Sequence, residues 1–334
     1  MILITGATGL VGGHLIRRLL QTTGRVVALR RASADTGALE TIFRFYGDDP
    51  HDYLKKIEWR TGDVLDADSL NVAFEGISEV YHCAASVGFG MGAAVIRPNV
   101  EGTRNMVQAA LKAKVKKFCF VSSIASLGQP EMGNGIVTET CQWNDKPDVS
   151  YYSQSKYLSE MEVMKGVEMG LPAIIVNPGI ILGVSGKRSG SSELFYRTKR
   201  GFWFYANGGS GYVDVRDVAL CMTTLMEQEC FGERFILVSE NVDNKTLLGL
   251  IANGHGNRSP FILLSDKFLL VAGAVVEFLA RLAGREAPFS RSYARVLTHF
   301  QRYSNEKIIN RTGVVFIPIE KTIGDILKGS HWAL

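Results

Sequence analysis

Met1-Ile2-Leu3-Ile4 is a short continuous apolar run, and Leu10, Val11, Leu15, Ile16, Leu19 and Leu20 follow it at helical spacing with Arg17 and Arg18 on the opposite face. This pattern predicts a buried strand, a tight turn and an amphipathic helix. The alternation continues, with strand-like runs at 25–30, 56–60, 79–84, 117–122 and 173–177 and helical patterns over 100–113 and 152–168. Strands that are apolar at every position are covered on both faces, as in a parallel sheet between two helical layers. The expected fold class is therefore α/β, a doubly wound Rossmann-type parallel sheet with a smaller, mixed C-terminal substrate lobe. Past residue 180 the regular alternation stops, and glycine-rich loops stand at 183–190 and 207–211. The expected division is a sheet domain over 1–180, rejoined by a strand and helix around 211–240, with 181–334 mainly the smaller lobe.

Composition narrows this picture. A chain of 334 residues, 46% hydrophobic and 21% charged, can bury one large α/β core and a lobe, and it carries no disordered tract. Its formal charge of +4 is too mild to argue by itself for nucleic acid or a membrane surface, so the expected partner is a small molecule. Five cysteines without CxxC spacing read as buried thiols rather than a disulfide framework, and six histidines form no ligand-like cluster, so no metal is expected. No basic leader precedes the first strand, and a cytoplasmic location is expected. The most membrane-like stretch, 268–284, is shorter than the roughly 20 residues of a spanning helix and is interrupted by Glu277 and Arg281. No integral membrane segment is expected; the stretch reads as a buried or cleft-lining helix, with shallow membrane association or a dimer contact as alternatives.

The turn after the first strand, Thr5-Gly6-Ala7-Thr8-Gly9-Leu10-Val11-Gly12, has the chemistry of a dinucleotide clasp. Gly6 and Gly9 let the backbone pass close to a pyrophosphate, Gly12 lets the helix sit against the sheet, and the helix N-terminus favours an anion. At the end of the second strand, where a carboxylate would grip an adenosine ribose, stand Arg30 and Arg31. A guanidinium clamps a 2′-phosphate, so the cofactor reads as NADP rather than NAD. Asp35, presented by a loop, is the alternative that would favour NAD. Further on, Tyr152 and Lys156 stand four residues apart on one helical face. An ammonium beside a phenol can bring it into the range of a proton shuttle. Ser122 and Ser123 end the strand upstream, at the carboxyl edge where such sheets bind ligands.

Together these residues resemble the extended short-chain dehydrogenase/reductase family over essentially the whole chain. Its markers stand in order: TGATGLVG from Thr5, Gly62-Asp63-Val64, His82-Cys83-Ala84-Ala85, Asn99 with Gly102-Thr103, Val121-Ser122-Ser123, Tyr152 with Lys156, Asn177-Pro178-Gly179 and Val213 to Ala219. The resemblance implies Ser123 as the catalytic serine, with Ser122 as the alternative, Tyr152 as acid/base, and Lys156 as both pKa shifter and ribose ligand. It implies cofactor contacts from Gly6, Thr8, Gly9, Leu10, Val11 and Gly12, from Asp63 and Val64 at adenine, from Ala84 and Ala85 along the cofactor path, and from Pro178 near nicotinamide. Asn99 would support a water relay behind the lysine or simply pack. The aspartates of 213–219 would be structural.

The family includes reductases, epimerases and dehydratases. Ser123 is followed by Ile124-Ala125 rather than an acidic pair, which argues against dehydration. The stretch Phe204 to Tyr212 resembles the dihydroflavonol reductase-like branch and lacks the arginine with which many epimerases grip a nucleotide diphosphate. The expected activity is NADPH-dependent reduction of a ketone or aldehyde. The alternative is an NAD-dependent epimerase acting on a nucleotide-linked or lipid-linked sugar; a cofactor-sensing binding protein is disfavoured because Ser123, Tyr152 and Lys156 are all kept. Phe89, Met91, Met132, Phe195, Tyr196, Phe202, Trp203 and Phe204 are candidate pocket walls, with ordinary packing as the other reading. A homodimer is compatible with the family.

Overall fold

In a computed structural model, residues 1–87, 92–130, 135–143, 149–186, 191–199, 201, 203–283, 285, 287 and 289–329 are described. The strands are β1 (Ile2–Thr5), β2 (Val26–Arg30), β3 (Ile57–Thr61), β4 (Glu79–His82), β5 (Lys117–Val121), β6 (Ile136–Val137), β7 (Ala173–Pro178), β8 (Ile180–Leu182), β9 (Phe204–Tyr205), β10 (Gly209–Asp214), β11 (Arg234–Leu237), β12 (Glu240–Asp243), β13 (Ile262–Leu263) and β14 (Arg302–Tyr303). The helices are α1 (Leu10–Thr23), α2 (Gly37–Phe45), α3 (Pro50–Leu54), α4 (Ala67–Ala73), α5 (Ile96–Lys112), α6 (Tyr151–Glu168), α7 (Ser192–Thr198), α8 (Val215–Glu227), α9 (Asn244–Gly254), α10 (Asp266–Leu282), α11 (Arg291–Thr298), α12 (Glu306–Thr312) and α13 (Ile319–Gly329).

Seven strands form one parallel sheet in the order β11-β7-β5-β4-β1-β2-β3. The order reverses between β1 and β4, so a crevice opens there at the carboxyl edge. Successive strand residues feed two different cores. Ile4, Ala28, Cys119, Val121, Ile174 and Val176 pack with α1, α2 and α8 on one face. Leu3, Val27, Phe118, Phe120, Ala173 and Ile175 pack with α4, α5 and α6 on the other. The period of two side chains along a strand thus turns an unbroken apolar run into two buried faces. After β7 the chain leaves this sheet, runs through β8 and β10 with antiparallel β12 beside them, and re-enters it at β11. Leu182, Tyr212, Leu247, Ile251, Ile319 and Ile323 fill a separate small core.

Three local expectations are corrected. Helix α5 begins at Ile96, ahead of the expected 100, because Pro98 falls in the first turn, where its missing N–H would have had no intrahelical partner. The fourth strand ends at His82 rather than at 84, since the Ala84 N–H turns aside to Thr5 Oγ1 at 3.1 Å. The apolar stretch 268–284 is not buried: of the residues of α10 only Leu269 and Gly273 are buried, because the helix is covered along one narrow side by α11 and its neighbours.

Candidate functional site

The clasp is built from backbone fit. Gly6 has φ +65°, and a Cβ there would lie 2.7 Å from the backbone of Cys83 and Ala84. A Cβ on Gly12 would lie 2.2 Å from the Gly6 carbonyl oxygen, so β1, the exit of β4 and the start of α1 can close on one another only with glycine at both positions. The Gly9 N–H donates to the Gly6 carbonyl at 2.9 Å. Helix α1 has no side-chain cap and no acidic residue in its first turn, which leaves its first N–H groups and positive dipole end available to an anion. Thr8, Leu10 and Val11 are half-buried around this turn and Gly9 is exposed.

Beneath the turn runs a chain of hydrogen bonds that joins β1, β4 and α5. The Thr103 hydroxyl donates to the Asn99 carbonyl at 2.7 Å, so it accepts from His82 Nε2 at 3.3 Å. His82 Nδ1 then accepts from Thr5 Oγ1 at 2.7 Å, and Thr5 Oγ1 accepts from the Ala84 N–H. Only the neutral, Nε2-protonated tautomer satisfies all four contacts. Burial, assisted by the charge of Lys156, pushes the His82 imidazole down to about 3 and keeps it neutral.

At the end of β2 the Arg30 guanidinium lies over the Trp59 ring, 5.1 Å from its centroid, and its Nε is buried with no hydrogen-bond partner. Arg31 beside it is exposed. Asp35 instead accepts from the Gly37 N–H at 2.8 Å, closing a local turn. Asp63 likewise accepts from the Leu65 N–H at 2.9 Å, and Val64 packs into the space left by Gly102. Ala84 and Ala85 are half-buried after β4, and Pro178 is buried at the end of β7. The glycine turn and the free helix end fit the pyrophosphate of a dinucleotide.

Across the switch point, Ser150 caps α6 by accepting from the Ser153 N–H at 3.1 Å, which sets Tyr152 in the first turn and Lys156 one turn later. Ser123 Oγ accepts from the Ala125 N–H at 3.1 Å and lies close enough to the Tyr152 phenol to lower its pKa. Ser122 turns away: it is buried and donates to Ser126 Oγ at 3.2 Å. Burial raises the Tyr152 phenol above its ordinary value, and Ser123 opposes part of that rise. Lys156 is buried, donates to the Val121 carbonyl at 2.9 Å, and is held down to about 8 by burial against the opposing pull of Glu160 and Cys83.

Behind Ser123 and Lys156 lies a buried polar group that no motif announced. Glu160 accepts from Ser126 Oγ and from Asn177 Nδ2 and forms an ion pair with Arg234 at 3.3 Å. Asn177 Nδ2 also reaches the Ser123 carbonyl at 3.2 Å, so the network fixes the backbone that carries Ser123. Its trace in the sequence is the recurrence of polar residues at 152, 155, 156, 159 and 160, a helical stripe turned inward. Asn99 accepts from the Ser86 N–H at 2.7 Å and donates to Ser155 Oγ at 3.0 Å, tying the loop after β4 to α6. Asp214 accepts from Arg216 and Thr322, and Asp217 from the Ile317 N–H at 2.8 Å, both binding the C-terminal segment to the lobe. His14, also unforeseen, links Tyr46 to the Val184 carbonyl.

The candidate pocket walls divide. Phe195 belongs to the small core, and Trp203 and Phe204 are exposed, with β9 paired among the described residues to β13. Tyr196 is half-buried, whereas Phe89, Met91, Met132 and Phe202 lie outside the described residues. All five cysteines are free.

The family model described as male sterility protein, an NAD-binding domain, matches residues 4–215. A Synechocystis protein named as a dihydroflavonol 4-reductase is 28% identical, covering 98% of this chain and 93% of its own length. Sterol demethylase protein B of Methylococcus capsulatus is 26% identical over 94% of this chain and 93% of its own. The crystal structure of gox2253 superposes with a TM-score of 0.83 at 28% identity, covering 99% and 98% of the two chains. The chain belongs to the male sterility protein family of NAD-binding domains, within the extended short-chain dehydrogenase/reductases, and is an NAD(P)-dependent oxidoreductase.

Proposed function

We propose that the protein reduces the carbonyl group of a ketone or aldehyde with NADPH, using Ser123, Tyr152 and Lys156. The observation that carries this reading is the placement of Ser123 beside the Tyr152 phenol, whose pKa it lowers, at the carboxyl edge of the sheet, with Lys156 one helical turn away. The residues that would hold the cofactor are the clasp from Gly6 to Gly12, with Asp63, Val64, Ala84, Ala85 and Pro178, and with Arg30 and Arg31 at the 2′-phosphate. When bound it supplies a hydride to the carbonyl carbon.

Ser123 orients the carbonyl oxygen and Tyr152 delivers a proton to it. Lys156 holds ribose hydroxyls and restores the phenol's proton. The raised phenol suits the acid role, since it keeps the proton on Tyr152 until alkoxide character develops on the substrate oxygen. The preference for NADPH rests on the buried, unpartnered Nε of Arg30 and on the local use of the Asp35 carboxylate. Likeness to a dihydroflavonol 4-reductase over nearly the whole chain favours reduction over epimerisation. We further assign 1–180 to the dinucleotide-binding domain, rejoined around 211–240, and 181–334 mainly to the substrate lobe.

The test is NADPH oxidation across aldehydes, ketones, flavonoid-like and steroid-like carbonyls and sugar nucleotides. Net NADPH consumption with one carbonyl class is expected, and Tyr152→Phe should slow it at least about 100-fold. Tightly retained NAD with interconversion of sugar nucleotides and no net turnover would replace this reading with the epimerase.

A further inference from the structure

Eleven of the twenty large apolar side chains exposed among the described residues lie in two adjoining elements, the ribbon of β9 and β13 and the helix α10. On α10, Phe268, Val271, Val275, Phe278, Leu279 and Leu282 are each 51–71% exposed. At 100° per residue these six fall within about 100° of the helix circumference, a single stripe along a rod about 25 Å long. The opposite side is packed: Leu269 meets Ala206 and Ala294, and Glu277 accepts from the Arg291 N–H. Three residues before the helix, the ribbon adds Trp203, Phe204, Phe261, Ile262 and Leu263, with the Phe261 and Ile262 N–H groups bonded to the Trp203 carbonyl. A soluble surface rarely carries an apolar area this continuous without a partner.

Charge says which partner. Residues 251–302 contain seven Lys and Arg against three Asp and Glu, leaving thirty of each sign elsewhere, so the whole +4 excess of the chain sits in this segment. Lys267 flanks the apolar stripe about 20° beyond its edge and Arg281 about 60° beyond. Neither they nor Arg291 enter an ion pair among the described residues. A second copy of the chain meeting this face about a two-fold axis would set one cationic patch against another. No helix among the described residues is long and apolar enough to cross a membrane, and α10 is short of the roughly 30 Å hydrocarbon thickness. We propose that α10 and the β9–β13 ribbon form a monotopic docking surface for an anionic phospholipid bilayer, the helix lying in the interfacial plane with its stripe among the acyl chains and its cations at the headgroups. Trp203, exposed on the ribbon, is the residue type that favours the boundary between apolar chains and water. This inference is independent of the carbonyl chemistry.

The test is co-sedimentation of the full chain with vesicles of phosphatidylcholine and phosphatidylglycerol at about three to one, and with pure phosphatidylcholine. The protein should pellet with the anionic vesicles, more weakly with the neutral ones and less as salt is raised. Burying one phenylalanine is worth roughly a ten- to hundredfold change in a partition equilibrium, so F268E/F278E should weaken binding at least about a hundredfold. An unchanged thermal midpoint and unchanged dinucleotide binding would verify that this variant is folded; if it is not, F278S and L282S singly should each weaken binding about tenfold. Failure of the wild type to bind anionic vesicles, or undiminished binding by folded variants, overturns the proposal. So does a dimer in sedimentation velocity that these substitutions dissociate while vesicle binding is absent, which would assign the face to a second copy.

Discussion

Replacing Lys156 by methionine should make the protein more stable at neutral pH. The ammonium sits in a buried position where its pKa falls from an ordinary 10.5 to about 8. A group whose folded pKa is depressed binds fewer protons in the folded than in the unfolded state across that window, so for a basic group stability rises with pH between about 8 and 10.5 and is penalised below. At pH 7 the penalty is about 3 kcal/mol, and at pH 9.5 it has fallen to about 1 kcal/mol. Methionine fills a similar volume without charge but leaves the Val121 carbonyl without its 2.9 Å donor, a loss of about 1 kcal/mol. Lys156→Met should therefore gain about 2 kcal/mol at pH 7 and almost nothing at pH 9.5. Urea unfolding of both proteins in the absence of cofactor, at the two pH values, measures the difference. A variant less stable than wild type at pH 7, or a gap that does not shrink between pH 7 and 9.5, would refute the burial penalty.

Arg30→Ala should weaken NADPH binding roughly 10- to 100-fold, the worth of one charge-assisted contact, while leaving NADH within about twofold in a fluorescence titration. Equal losses for both cofactors would sink the 2′-phosphate assignment. Gly12→Ala places a methyl 2.2 Å from the Gly6 carbonyl oxygen, and since neither backbone can retreat it should cost about 3 kcal/mol in urea unfolding; an unchanged midpoint would contradict the close approach. Asp217 is raised to about 6 by burial and by Asp214, so the folded state holds its proton more tightly than the unfolded state, and stability falls as pH rises from about 4 to 6. Asp217→Asn keeps an acceptor for the Ile317 N–H and should gain up to about 3 kcal/mol at pH 7.5 with a flatter profile over that range; a loss of stability there would show the carboxylate to be needed as a charge.

Much of the central sheet was readable because its strands carry no polar alternation. Phe118, Cys119, Phe120 and Val121 can all be apolar only if both faces are covered, and the structure covers them with α5 and α6 on one side and α8 on the other. The same logic misplaced 268–284. A helix apolar all round is normally enclosed, but α10 is packed along one side only, and local periodicity holds no information about which neighbour is absent. Aromatic content misled for a related reason. Trp203 and Phe204 are as apolar as Phe195, and only the tertiary pairing of β9 with a surface strand decides that they face outward while Phe195 enters a core.

At the site, legibility followed chain distance. Gly6, Gly9 and Gly12, and Tyr152 with Lys156, act within a turn or two of one another, so spacing alone places them on one loop or one helix face. The network of Ser126, Glu160, Asn177 and Arg234 joins residues up to about a hundred positions apart, and the chain of Thr5, His82 and Thr103 joins three elements. Such contacts depend on strand order, which no single segment encodes. Yet α6 does carry a trace of them, because a helix that turns Ser155, Lys156, Ser159 and Glu160 inward must find a partner for each. Ser159 and Ser155 donate within the helix to the Ser155 and Tyr152 carbonyls, whereas Lys156 and Glu160 need other elements. Burial of the Lys156 ammonium opposes folding, and it places a proton-exchanging group, with the Glu160 network beside it, behind the serine and tyrosine, the groups to which the proposed chemistry assigns the proton transfer.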